Sequence, residues 1–487
     1  MKKKFLLVSP RTGFDAPKPQ MPSAMVYLGT NLKKAGYDPV IVDARVEKDY
    51  VEKIQRDIKD SLAVGLTAMT GTQIIFALRL AKLVRKLDPK MPIIWGGVHA
   101  SLFPEQTIKN ELVDAILIGE GDKAVVEIAK RLEKGESLEG VKGLFCKKDG
   151  IIHRGSCFEL LDVNELPVPD WSLIDVKKYR IFDVQSARGC PHRCGFCYNQ
   201  TFNKGRWRMR SAKSVIDEIE NLIKKYGIKE VNFIDDNFFT HKGRADEMLN
   251  LILEKKLKFT WRINCRADYF DRFDEDFLKK AHKAGLREVL IGCESGSQDV
   301  LDYIQKDIRV HQIVNAITLC KKVGLEAQCS FMIGLPEETG RDLNMTFDLI
   351  DKLREIDPKV VITALSIYTP YPGSKLFDIS KGHGFVAPKS LEEWGEFTYT
   401  FVNVPWLKGM KKAKYESMSY VSRFLFDRKK MRKRFITPLI KIPYELMVLD
   451  ARLRWKFRFF DFPFEWMLVK KYLVSKREKQ LAEVLND

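Results

Sequence analysis

Twice along the chain, short apolar runs alternate with segments whose apolar residues return every three or four positions. That alternation restricts the fold to α/β architectures. Over residues 1–135 the runs KFLLVS, DPVIVDA, LAVGLTA, PIIWGG and DAILIGE are separated by the helical patterns SAMVYLGTNLKKAG, DYVEKIQRDIKD, TQIIFALRLAKLVRKL and SLFPEQTIKNE. Five such units predict an open parallel sheet of the flavodoxin-like kind. Residues 136–180 read as a connector: a small hairpin in EGVKGLFCKKDGIIHRG, then the proline-bearing stretch LDVNELPVPDWSLID. Over residues 181–380 the runs FDVQSARG, KEVNFIDD, FTWRINCRA, REVLIGCE, AQCSFMIG and VITALSIYTP predict six β/α units, a partial (β/α)6 version of the eight-fold barrel. Residues 381–487 are expected to form a basic, aromatic-rich helical region.

Directly after the first barrel strand comes GCPHRCGFCYNQ, with Cys190, Cys194 and Cys197 at the spacing C-x3-C-x2-C. Three thiols do not make a disulfide framework. A structural zinc wants four ligands, usually as two separated pairs, and no second C-x2-C follows. His192 lies inside the loop, whose geometry the cysteines already occupy. A cubane iron–sulfur cluster on three thiolates leaves one iron open to a small molecule. Chemistry in barrels sits on the loops after the strands, which is where these cysteines fall.

These features resemble the radical S-adenosylmethionine (SAM) enzymes, in the branch with an N-terminal cobalamin-binding domain. The resemblance covers about residues 4–376. It implies a 4Fe–4S cluster on the three cysteines, with Phe196 as the aromatic before the last one. The open iron would be chelated by SAM, which one electron splits to a 5′-deoxyadenosyl radical. Asp235 and Asp236 match positions that bind the methionine amino group, and Arg266, Glu294 and Ser295 match positions associated with SAM. A helix-cap role for the carboxylates and a simple Arg266–Asp268 pair are the structural alternatives. In the N-terminal half WGGVHASLFPE and DAILIGEGDKAV resemble cobalamin-binding domains, which implies contacts from Gly96, Gly97, His99, Glu120 and Gly121; Thr67, just after the third strand, is expected on the same cleft because ligands of such sheets bind beyond the strand ends. The D-x-H-x-x-G motif that supplies a histidine to cobalt is absent. His99 is the only histidine before residue 150 and no Asp stands two positions earlier.

The implied reaction is radical C-methylation of an unactivated carbon through methylcobalamin. Oxidative cyclisation or hydroxylation, as in the anaerobic magnesium-protoporphyrin cyclase of the same branch, is the alternative, with a non-catalytic cobalamin or iron–sulfur sensor behind it. The expected partners are a small-molecule or lipid substrate and an electron donor such as flavodoxin or ferredoxin, with no nucleic acid. The apolar run in MKKKFLLVSPRTGFD is too short for a signal peptide, so a cytoplasmic protein with reduced thiols is expected. Net charge is +18, and residues 409–487 alone hold 20 Lys/Arg against nine Asp/Glu. With the aromatic run RLRWKFRFFDFPFEWMLVKKYL, this suggests peripheral contact with a membrane surface, or else a helical cap whose aromatics pack on the body. The scattered cysteines, Cys265, Cys293, Cys320 and Cys329 among them, read as small buried fillers.

Overall fold

A computed structural model of the chain describes residues 3–13, 18–397, 403–426, 438–468, 470–471 and 474–475. Strands β1 (Lys4–Ser9), β2 (Asp38–Asp43), β3 (Ser61–Thr67), β4 (Ile93–Gly96) and β5 (Ala115–Leu117) pair in parallel in the order β2-β1-β3-β4-β5. Each strand is apolar on both faces because helices cover both. Phe5 and Leu7 of β1 enter one core, and Leu6 and Val8 enter the other. The strand order reverses at β1, and ligands of such sheets bind beyond the carboxyl ends at that point.

The hairpin expected in the connector belongs to this sheet. β6 (Leu144–Lys148) pairs antiparallel with β5, and β7 (Ile151–Arg154) antiparallel with β6. The first domain therefore runs beyond residue 135, and its seven-stranded sheet is parallel with an antiparallel edge.

The second sheet follows the order β8-β11-β12-β13-β14-β15, all parallel. Its strands are β8 (Phe182–Val184), β11 (Glu230–Phe233), β12 (Thr260–Cys265), β13 (Leu286–Glu294), β14 (Glu326–Ile333) and β15 (Val361–Ile362), with β16 (Ser366–Ile367) also on β14. This is an open, partial barrel. Local chemistry sets its helix ends. Ser211, Asp274, Ser297 and Thr339 each accept a backbone N–H at a helix start, and Gly227 and Gly324 take the left-handed conformation after a helix end. Cys265, Cys293, Cys320 and Cys329 are buried thiols, as expected of fillers.

The short strands β9 (Ala187–Arg188) and β10 (Arg208–Met209) pair antiparallel and close the cysteine loop between them. Gly189 makes the closure possible. It has φ +84°, and a Cβ there would lie 2.1 Å from the Arg206 carbonyl oxygen.

The C-terminal region contributes the helices Gly409–Phe426 and Pro438–Lys456. Trp455 and Phe460 pack on Phe347 with ring centroids 5.0 and 5.3 Å away. Among the described residues no helix is long and apolar enough to cross a membrane.

Candidate active site

A cavity of about 570 Å³ lies between the two sheets. Thr67, Gly96, Gly97, Glu120 and Gly121 line it from the first domain, and Ala187, Gly189, Tyr198, Asn203 and Asp236 from the barrel. Its floor is apolar, built by Phe5, Leu7, Leu28, Ile94, Leu117 and Val125. Gly97, at φ +90°, brings backbone against backbone: a Cβ there would meet Thr67 Oγ1 at 2.7 Å and the Ala68 carbonyl at 2.9 Å. Gly97 therefore lets the β3 and β4 ends pack closely at the edge of the cavity, where Met69, 59% exposed just after β3, also lines it.

His99 stands apart from this cavity. It is fully buried beside Phe103 and Trp394, with ring centroids 6.1 and 5.5 Å away, and its Nδ1 shares a 2.9 Å hydrogen bond with Thr70 Oγ1. Burial lowers its pKa to about 4. The reading of His99 as a cobalamin contact does not match this placement, because the short helix that starts at Val98 turns its ring into the core. No histidine is among the residues that line the cavity.

Glu120 lines the cavity but its carboxylate is engaged across the domain boundary. Arg208 donates to both of its oxygens at 2.6 and 3.0 Å, Arg188 at 3.2 Å, and the Leu161 N–H at 2.9 Å. Arg188 also donates to Asp122 at 2.8 Å and lies 5.2 Å from the Tyr27 ring centre. Burial alone would raise the Glu120 pKa, but the Arg208 hydrogen bond and the Arg188 charge hold it below the ordinary value. These two arginines flank the cysteine loop, on β9 and β10, and fasten it to the Gly-Glu-Gly turn.

The cysteine loop itself is pinned at its centre. The Gly195 N–H donates to Ile304 O, and the Leu376 N–H donates to Gly195 O, both at 2.7 Å. All three thiols are reduced and half-buried. Backbone N–H groups of His192 and Asn199 serve Cys190 and Cys197, and burial pushes both thiols up to about 11. Iron binding would have to displace those protons. Among the described residues no three His, Cys, Asp or Glu side chains converge tightly enough for one metal ion. Thiolates of a cubane sit on separate irons and need no such convergence, so the loop fits a cluster better than a single ion.

The two adjacent carboxylates face different ways. Asp235 is buried beneath the loop, accepting from the Ser186 N–H at 2.7 Å and from the Ser186 hydroxyl, with Arg244 also on Ser186 at 3.0 Å. It braces the strand that leads to the cysteines and does not reach the cavity. Asp236 does reach it, held by the Asn199 side chain and the Gly189 N–H, and burial raises its pKa.

Arg266 pairs with Asp268 at 2.9 Å, as the simple reading expects, and in addition points Nη1 at Cys194 Sγ, 3.5 Å away. Its Nη2 donates to Lys306 O at 2.6 Å. Glu294 ends β13 at a bulge with φ +64°, and its carboxylate accepts from Lys306 Nζ at 2.8 Å. The ammonium also lies 5.6 Å from the Phe196 ring centre. Burial alone would lower the Lys306 pKa, but the Glu294 and Cys194 charges raise it overall. Ser295 is spent on structure: its hydroxyl meets Thr346 Oγ1 at 3.0 Å and accepts the Ser297 N–H at 3.1 Å. The sequence reading missed Lys306, Arg188 and Arg208. Only Arg188, directly before Gly189-Cys190, carried a local signal.

Comparison with known proteins identifies both domains. Residues 184–350 match the Radical SAM superfamily and residues 16–129 the B12 binding domain. The chain is 31% identical over 386 residues to an uncharacterised methyltransferase of Pyrococcus horikoshii, covering 77% of this chain and 81% of that protein. It is 30% identical over 372 residues to the anaerobic magnesium-protoporphyrin IX monomethyl ester cyclase of Rubrivivax gelatinosus, covering 73% of this chain but 65% of the cyclase. The fold matches that of the radical SAM methyltransferase TsrM from Kitasatospora setae, solved with cobalamin and a [4Fe-4S] cluster, at a TM-score of 0.66 and 19% identity over 80% of this chain and 76% of that one. The chain belongs to the radical SAM superfamily, in the branch whose members carry a cobalamin-binding domain before the barrel.

Proposed function

We propose that the protein is a cobalamin-dependent radical SAM methyltransferase acting on an unactivated carbon of a small-molecule or lipid substrate. One observation carries the reading: a single cavity has the glycine-bearing ends of β3 and β4 on one wall and Asp236 with Gly189 and Tyr198 on the other, the two loop residues that stand directly before Cys190 and after Cys197. When bound, the cluster supplies the electron that splits SAM, the adenosyl fragment takes a hydrogen atom from the substrate, and cobalamin carries the methyl group.

The chain's own residues hold and aim these groups. Cys190, Cys194 and Cys197 ligate the cluster, and the Arg266 guanidinium at Cys194 stabilises that thiolate by a charge-assisted hydrogen bond. Asp236 is placed to accept from the methionine ammonium of SAM. Glu294 holds Lys306, whose ammonium lies 5.6 Å from the Phe196 ring of the loop. Thr67, Gly96, Gly97 and Gly121 would present the corrin with short side chains and backbone beside Met69, over a floor that is apolar. The electron comes from a low-potential donor such as flavodoxin or ferredoxin, in the reducing cytoplasm.

Methylation is favoured over cyclisation because the match extends over 81% of the methyltransferase relative, against 60 to 75% of the anaerobic cyclases. The test is turnover with SAM carrying a trideuterated methyl group. Methylation consumes one SAM for 5′-deoxyadenosine and a second for S-adenosylhomocysteine, and leaves the label in the product. Turnover that yields 5′-deoxyadenosine without S-adenosylhomocysteine would favour cyclisation or hydroxylation. Failure of the reconstituted, reduced protein to cleave SAM at all would point to a sensor.

A further inference from the structure

Nine of the sixteen exposed large apolar side chains among the described residues fall between Leu446 and Leu468. Exposed leucines and phenylalanines normally occur singly on a soluble protein. Here they are ordered. Leu446, Leu449, Leu453 and Phe457 recur at steps of three, four and four, one stripe along the helix Pro438–Lys456 and the residue after it. The opposite stripe of the same helix, Tyr444, Val448, Ala451 and Trp455, is packed on the body. The helix thus has two apolar faces, one buried and one bare. The bare one continues into Phe462, Phe464 and Met467, each more than half exposed.

Charge identifies what covers that face. Arg452, Lys456 and Lys471 are exposed on the same segment. In the sequence, RKKMRKR at residues 428–434 places six cations within seven positions shortly before the helix, and residues 409–487 carry about +11. An apolar stripe with Arg452, Lys456 and Lys471 exposed on the same segment, against Glu445 as the exposed acid among its described residues, matches a surface that is apolar within and diffusely negative at its rim. A protein partner would need discrete acids opposite each cation. We propose that this face docks on an anionic lipid bilayer, its leucines and phenylalanines at the acyl boundary and its cations among the headgroups. The inference is independent of the reaction, since it uses no residue of the cavity.

The experiment is co-sedimentation of the full-length, cofactor-loaded protein with phosphatidylcholine vesicles containing or lacking phosphatidylglycerol, at low and high salt. Binding is expected to the anionic vesicles only and to weaken with salt, because exposed charges are screened. Leu449→Glu/Leu453→Glu and, separately, Phe462→Glu/Phe464→Glu should each lower it by about tenfold or more. Iron, cobalamin and SAM cleavage should stay at wild-type levels, which shows that the variants fold. Two results overturn the proposal: no sedimentation with anionic vesicles, or sedimentation that both variants retain. A salt-stable dimer that either variant dissociates, without vesicle binding, would assign the face to a second copy instead.

Discussion

Lys306 shows what a single side chain contributes to the site. Its ammonium is buried, shared between the Glu294 carboxylate and the Phe196 ring, on a loop with no periodic signal in the sequence. Removing one partner of a buried ion pair strands the other, at about 3–5 kcal/mol. Lys306→Met should cost that much in chemical denaturation, and Lys306→Met/Glu294→Gln should recover most of it. Equal stability of the single variant and the wild type would show that the pair does not hold the bulge. The cysteines were the most legible residues, because their spacing is local chemistry. Cys190→Ala, Cys194→Ala and Cys197→Ala are each expected to lose cluster iron and 5′-deoxyadenosine formation, whereas Cys320→Ala, a buried filler, should keep both. Asp235 and Asp236 were legible as a pair but not as two roles. Which of two adjacent carboxylates turns toward a cavity depends on partners such as Ser186 that lie 49 residues away.

At the scale of elements, the strands were readable wherever both faces are buried, since a parallel strand is then continuously apolar. The pairing of the connector hairpin with the first sheet was not readable. The 144–154 hairpin joins β5 through the Ala115–Cys146 register, a long-range match that no local pattern announces. The run VITALSIYTP, expected as one strand, splits into β15 and β16, which meet β14 at Gln328–Cys329 and at Met332–Ile333. Between them the Leu365 N–H leaves the ladder and donates to Ser422 Oγ, 2.9 Å away on the helix Gly409–Phe426. The same helix brings Tyr415 to Glu338, which also accepts the Gly334 N–H at 2.6 Å. Burial there pushes Glu338 from its ordinary 4.5 up to about 8. A raised carboxyl pKa means that the folded state binds the extra proton. Its contribution is present below about pH 4.5 and is lost as pH rises through about 8. Glu338→Gln should therefore flatten the fall in denaturation midpoint across that window. A variant that falls as steeply as the wild type would remove Glu338 from the account.

For the whole molecule, two domains were legible from two alternating series, but not the clamp between them. Glu120 and Asp122 from the first domain meet Arg208 and Arg188 from the barrel, residues far apart in sequence and unremarked by any motif except the Gly-Glu-Gly turn. The clamp fixes how the cysteine loop faces the ends of β3 and β4. Misplacing reacting groups by about 1 Å can cost a hundredfold in rate. Arg208→Ala is accordingly expected to slow turnover by about tenfold or more, with iron and cobalamin content unchanged. An unaltered rate would mean that the barrel holds its position by packing alone. Cobalamin in the cavity and a cluster on the adjoining cysteine loop would lie close enough for their spins to couple. Electron paramagnetic resonance of protein holding Co(II) cobalamin together with the reduced cluster measures that coupling. Signals broadened by mutual spin coupling are expected, with no nitrogen splitting from His99, which is turned into the core. Two sharp, independent signals would place the cofactors apart and overturn the shared site.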